Sequence, residues 1–203
     1  KIDGKTYGLA FTFSTPILYI NGKLFEEAGL DPNQPPKTWD EMLEMAKTIK
    51  EKTGVDGFGL APDNGWVTEG IVYTAGSDMV NEDKTEAVFA NDNTVKAFEL
   101  WKEFYTEGCA AKGTDSELSQ QFMAGNLAMH IQSTSMLSGF KSASEAGDWE
   151  LYGAAMPGLN GNDAVPVNSG SCLAVRPDSE QKAQAIWEFI KYATGNDGYT
   201  IIT

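Results

Sequence analysis

Arginine occurs once in this sequence, as Arg176, and histidine once, as His130. One planar guanidinium leaves little capacity for the bidentate grip on phosphate or carboxylate that anionic ligands call for. With one imidazole, a Ser-His-Asp triad would have to use His130, and no G-x-S-x-G elbow is present to set a serine on a strained turn. His130 lies between Met129 and Ile131 in a strand-like run, where alternation turns it away from its neighbours' face toward a surface or bridging role. Cys109 and Cys172 are the only two cysteines. They are too few for a disulfide framework and lack the CxxC spacing of zinc or redox sites. No apolar run approaches the roughly 18 residues of a membrane-spanning helix, and Lys1-Ile2-Asp3-Gly4 lacks the apolar centre of a signal peptide, as expected of a mature or trimmed segment. GxGxxG and GxxxxGK[ST] patterns are missing, so a nucleotide loop has no candidate. Asn91-Asp92-Asn93 and Asn160-Gly161-Asn162-Asp163 lack EF-hand spacing and read as a helix cap and a turn.

What the chain has in quantity is carboxylate. Against 15 basic residues stand 29 acidic ones, a net charge of −14 that repels nucleic acid and anionic membrane surfaces. With 41% hydrophobic residues, the chain can bury one substantial core, or one core and part of a second. Apolar runs at 7–13 and 17–20, separated by Pro16, read as strands, and others are expected at 57–60, 127–131, 151–155 and 173–175. Leu24, Phe25 and Ala28 form a short helix closed by Gly29. Thr38 and Glu41 make a capping box ahead of Trp39, Met42, Leu43, Ala46 and Ile49, in a helix that Gly54 ends. Val95, Phe98, Trp101 and Phe104 give a second inward face between Asn93 and Gly108. Leu118 and Phe122 give a third between Ser116 and Ala124, and Ala183, Ile186, Trp187 and Ile190 a fourth from Ser179 to Tyr192. Strands alternating with helices predict a layered α/β domain with ligand-contacting loops at strand ends.

The polar residues on those loops suit gripping better than bond-breaking. A glycosidase-type carboxylate pair stays open, because the separation it needs is spatial. Asp63-Asn64-Gly65-Trp66 sets a flat apolar ring beside hydrogen-bonding side chains, a match for a sugar's C–H face and hydroxyls; Trp66 equally fits a plug that fastens the loop to the domain. Ser133-Thr134-Ser135 follows a strand and precedes a helix, where hydroxyls face a ligand or simply cap. Asn168-Ser169-Gly170-Ser171 permits close backbone approach at Gly170, or a plain tight turn. No catalytic residue, metal site or cofactor is assigned.

Ser14-Thr15-Pro16-Ile17-Leu18-Tyr19-Ile20-Asn21, then Leu24-Phe25-Glu26-Glu27-Ala28-Gly29-Leu30-Asp31-Pro32 and Pro35-Pro36-Lys37-Thr38-Trp39-Asp40-Glu41, resemble the family 1 extracellular solute-binding proteins of ABC importers. Phe122-Met123-Ala124-Gly125-Asn126-Leu127-Ala128-Met129 and Ser169-Gly170-Ser171-Cys172-Leu173-Ala174-Val175 extend the resemblance in order over nearly the whole chain. The first segments are most similar to the glycerol-3-phosphate-binding branch, whose site uses a tryptophan loop, a serine pair after a strand and a glycine before the return strand. The resemblance implies ligand contacts at Trp66, Ser133, Thr134 and Gly170, with Ser14 opening the first matched segment. Asp63 stands where the branch has another tryptophan, and Thr134 where it has a second serine. A carboxylate replacing an aromatic favours a hydroxyl-rich neutral ligand over an anion. Sugars and small polyols therefore rank first, glycerol-3-phosphate or glycerophosphodiesters second, and a glycoside-processing enzyme third.

Members of that family have two α/β lobes with the ligand held between them. The resemblance accordingly implies a type II periplasmic-binding-protein-like lobe, with a layered mixed sheet and flanking helices. Residues 1–164 are expected to be mainly the second, C-terminal lobe including the first hinge strand. Residues 165–203 are expected to be a return strand and helix of the first lobe. It further implies a non-enzymatic protein in the periplasm or lipid-anchored at the cell surface, with the membrane permease of an ABC importer as partner, no cofactor and no nucleic acid.

Overall fold

The computed structural model describes residues 7–202, which form two compact units: one of residues 15–167, the other of 7–14 together with 168–202. In chain order the elements are β1 (Gly8–Ser14), β2 (Pro16–Asn21), α1 (Gly22–Glu27), α2 (Trp39–Thr53), β3 (Asp56–Gly59), α3 (Gly65–Thr74), α4 (Asp92–Thr106) and β4 (Ala110–Ala111). They continue as α5 (Asp115–Met123), β5 (Leu127–Ser133), a 3-10 turn at Thr134–Met136, α6 (Leu137–Ala146) and β6 (Leu151–Ala154). Last come β7 (Ser169–Ala174), α7 (Glu180–Ala193) and α8 (Asn196–Ile202). No helix among the described residues is long and apolar enough to cross a membrane.

The larger unit is built on a five-stranded mixed sheet in the order β4-β3-β5-β2-β6. β3 runs parallel to β4 and β5, whereas β2 is antiparallel to β5 and β6. β6 therefore runs with β5, and the carboxyl ends of β3, β4, β5 and β6 share one edge with the start of β2. Period two sends Leu18, Ile20, Met129 and Ile131 into one core with Trp39, Met42, Phe58, Trp101 and Phe104. It sends Tyr19 to the other, with Leu118, Phe122 and Phe140. Central β5 is covered on both faces, and each residue from Leu127 to Gln132 is buried. The Trp39 ring lies 5.7 Å from that of Phe58, 5.6 Å from Trp101 and 6.1 Å from Phe104, so α2, β3 and α4 meet through one aromatic cluster.

Helix starts follow the cap residues with two differences from expectation. Thr38 Oγ1 accepts from Glu41 N at 3.2 Å, but the Glu41 carboxylate accepts from Lys37 N, at 2.7 Å, rather than closing a box on Thr38. The complete capping box is at Thr114 and Glu117, so α5 starts at Asp115, ahead of the expected Ser116. On α4, Trp101 and Phe104 are buried as the spacing requires and Phe98 is half-buried, while Val95, expected inward, is exposed and Ala97 is buried in its place. Asn91 caps that helix, accepting from Asn93 N and Thr94 N, and Asn160-Gly161 turns between the bridged Leu159 and Asn162, as read from the sequence.

The smaller unit contains the antiparallel β1-β7 ladder, with a register shift between Ala10 and Thr12, followed by α7 and α8. Tyr199 Oη donates to the Phe11 carbonyl at 2.8 Å, fixing α8 to β1. Residues 7–14, expected to belong with the larger lobe as a hinge strand, pair with the return strand β7, and within this chain the two compact units divide after Ser14 and after Val167. Cys109, in the larger unit, is buried and Cys172, in the smaller, is exposed; both are free.

Candidate functional site

At the shared carboxyl edge of the five-stranded sheet, three connections converge: 60–64 between β3 and α3, 112–114 between β4 and α5, and the step from β5 into the 3-10 turn. Ligands of open α/β sheets collect at such an edge, where backbone groups and cap residues are free to face a cleft. Asn64 caps α3, its Oδ1 accepting from Val67 N at 3.2 Å. Trp66, expected in a loop, is the second residue of that helix and is half-buried. Its indole N–H is enclosed without an acceptor among the described residues, as are those of Trp39, Trp101 and Trp149, so the nitrogen alone does not single it out.

Asp63 is exposed, and its carboxylate accepts from Asp115 N at 3.0 Å, satisfying one of the free N–H groups in the first turn of α5. Asp115 accepts on one oxygen from Asn64 Nδ2 at 2.9 Å and on the other from Gln132 Nε2 at 2.7 Å. Gln132 Oε1 accepts from Ser133 N at 2.7 Å, and its Nε2 also donates to Ser119 Oγ at 3.3 Å. Ser119 Oγ lies 3.0 Å from His130 Nε2, and His130 Nδ1 lies 3.4 Å from the Gly59 carbonyl. Because a carbonyl only accepts, Nδ1 carries the hydrogen and Nε2 accepts from the Ser119 hydroxyl. Of the two readings the sequence left open, surface and bridging, His130 takes the second: it is buried, both faces of β5 being covered, and it bridges Ser119 and Gly59. Burial holds its pKa below the ordinary 6.5, the Asp115 charge and the Gly59 hydrogen bond opposing.

Asp63 and Ser133 therefore stand at the ends of one hydrogen-bonded chain that runs through Asp115 and Gln132. The hydroxyls singled out in the sequence are occupied locally. Ser133 Oγ accepts from Ser135 N at 3.1 Å, capping the 3-10 turn, and Thr134 Oγ1 accepts from Thr15 N at 3.3 Å, tying the end of β5 to the start of β2. In the smaller unit, Ser14 pairs with Ser169 and Gly170 with Phe13. Gly170 has φ of 154°, and a Cβ there would collide with the Thr12 carbonyl oxygen. Close backbone approach, one of the two readings of this glycine, is thus to β1.

Sequence reasoning missed Asp115, Gln132 and Ser119, whose partners lie far off along the chain. It also missed a cavity of about 600 Å³ lined by Pro35–Thr38, Ala154–Met156, Gly158 and 161–164, within the size range of small-molecule sites. It opens beside Ala154, the carboxyl end of β6, and Thr38, the cap of α2.

The family pattern described as bacterial extracellular solute-binding protein matches residues 1–202. A lactose-binding protein of Rhizobium radiobacter is 27% identical over 205 aligned residues, spanning 98% of this chain and 48% of that protein. The sn-glycerol-3-phosphate-binding periplasmic protein UgpB of Brucella abortus is 52% identical over 50 residues, 25% of this chain and 12% of that one. Among solved structures, the cyclic alpha-maltosyl-1,6-maltose binding protein of Arthrobacter globiformis is 25% identical, with a TM-score of 0.81 over 97% of this chain and 50% of that one. The chain spans about half the length of the relatives it matches from end to end.

Proposed function

The chain belongs to the bacterial extracellular solute-binding proteins, and from that premise we propose that the full-length protein captures a neutral carbohydrate or small polyol by closing two lobes around it. The captured ligand passes to the permease of an ATP-driven importer. Capture takes place outside the cytoplasmic membrane, in the periplasm or from a lipid anchor at the cell surface, and breaks no bond in the ligand. The observation that carries this reading is the carboxyl edge itself, where Trp66 stands beside a set of side chains already locked into hydrogen bonds. An aromatic ring stacks on the C–H face of a sugar, and the remaining lone pairs of Asp63 accept from its hydroxyls. Ser133 and Thr134, at the same edge of the larger unit, are the further ligand-side candidates.

A phosphorylated ligand is the second reading, favoured by the likeness to a glycerol-3-phosphate-binding protein over 50 residues. Against it stand Asp63 and Asp115 at the edge, a net charge of −14 and the single arginine, which disfavour an anion. Thermal unfolding of the full-length protein with lactose, maltose, D-mannitol, glycerol-3-phosphate and glycerophosphocholine tests the choice. A ligand that binds only the folded state stabilises it, by about 2.7 kcal/mol at a hundredfold excess over Kd, and so raises the midpoint. Stabilisation by a neutral compound supports the proposal; stabilisation by the phosphate compounds alone, or sustained turnover of an oligosaccharide, overturns it.

A further inference from the structure

The directions of the hydrogen bonds at the carboxyl edge are fixed by backbone groups that have no choice. Val67 N–H only donates, so Asn64 must turn Oδ1 toward it and Nδ2 toward Asp115, at 2.9 Å. Ser133 N–H only donates, so Gln132 must turn Oε1 toward it and Nε2 toward Asp115, at 2.7 Å. The Gly59 carbonyl only accepts, so His130 presents Nε2 to the Ser119 hydroxyl, leaving Ser119 Oγ to accept the second Nε2 hydrogen of Gln132. Three chains of forced donors thus end at position 115 or beside it, and the residue there must accept on both side-chain oxygens. An ionised carboxylate does so; an amide of the same shape does not.

We propose that Asp115 is a positioning residue of the binding edge, a double acceptor that sets the Trp66-bearing helix α3 against the Ser133 end of β5. Asn64 is the cap of α3, two residues before Trp66, and Gln132 is the last residue before Ser133. The carboxylate between them holds the stacking ring and the strand end at a fixed spacing. Gln132, Ser119 and His130, at 7%, 5% and 1% exposure, back the arrangement with buried groups that tolerate no unpaired donor. The inference rests on the proposal that Trp66 and Ser133 face the ligand.

The test is a reciprocal exchange in the full-length protein. Asp115→Asn sets an N–H₂ against either Asn64 or Gln132, and flipping either amide opposes a backbone N–H instead. Asn64→Asp together with Asp115→Asn restores every bond: the new carboxylate still caps Val67 N and accepts from the new amide, whose oxygen still accepts from Gln132. Titration with the panel compound that binds the unaltered protein should show Asp115→Asn weakened about tenfold or more and the double variant within about threefold of the original. Hydrogen exchange at the Val67 and Ser133 amides, which needs no ligand, should accelerate in the single variant and recover in the double. Absence of recovery in exchange overturns the lock, and recovered exchange with unrecovered affinity overturns the positioning role. Unchanged affinity in Trp66→Ala, run alongside, faults the placing of the ligand and leaves the exchange result to decide the lock.

Discussion

Trp39 and Trp101, in residues 15–167, are at most 5% exposed, whereas Trp187 and Phe189 on α7, in the smaller unit, are 49% and 61% exposed. All four sit on amphipathic helices with capped starts. The difference is in what lies opposite. α2 and α4 close on a five-stranded sheet, while the smaller unit has a two-stranded ladder and one short helix, and of its described apolar residues only Ile190 and Ala193 are buried. A helical spacing of apolar residues fixes which face turns inward but not how much covers it. Stability should therefore reside in residues 15–167, on which the candidate edge is built.

The largest effect that could break this contrast is Trp101→Ala. Removing a buried ring from the Trp39, Phe98 and Trp101 cluster should cost about 3 to 5 kcal/mol in chemical denaturation. A cost below 1 kcal/mol would refute the core assignment. Next is Gly170→Ala, whose Cβ meets the Thr12 carbonyl in the β1-β7 ladder; a strained position of this kind costs about 1 to 3 kcal/mol. Hydrogen exchange should show the loss confined to the smaller unit, with β5 amides unaffected. His130 gives a smaller, pH-dependent effect. Its folded pKa is held below the ordinary 6.5 by burial, so its contribution is complete above that value and is lost as pH falls through the lowered one. The unfolding midpoint should drop on acidification below pH 6.5, and His130→Gln should remove that component; an unaltered pH profile in the variant would contradict the buried neutral ring. Smallest is Trp187→Ala in this chain, expected within about 0.5 kcal/mol of the parent because the ring is half in water.

Much of the larger unit is legible in the residues. Thr38 and Asn91 announce α2 and α4, and Trp39, Met42, Ala46, Trp101 and Phe104 fall on the buried faces that their spacing assigns. α3 escaped, because Asp63-Asn64-Gly65 reads as a turn and the Gly, Val and Thr that follow have weak helix propensity; burial of Val67, Ile71 and Val72 holds the helix instead. For His130, alternation gives the face but leaves the surface and bridging readings open, and it is the cover of Phe122 on α5 and Phe140 on α6 that decides for the bridge. Of the candidate site, the loop carrying Asp63 and Trp66 and the strand end at Ser133 were recognisable as polar strand ends. Asp115 and Gln132 were not, because a carboxylate at a helix start and a glutamine in a strand look ordinary until the fold brings them within 2.7 Å.

The most direct test is calorimetric titration of the full-length protein and its Trp66→Ala variant with lactose, maltose, D-mannitol, glycerol-3-phosphate and glycerophosphocholine. A neutral sugar or polyol should bind without being consumed, and Trp66→Ala should weaken this binding by about 1 to 3 kcal/mol while the melting curve is kept. Binding of the phosphate compounds alone, or equal affinity in the variant, would contradict the proposed function.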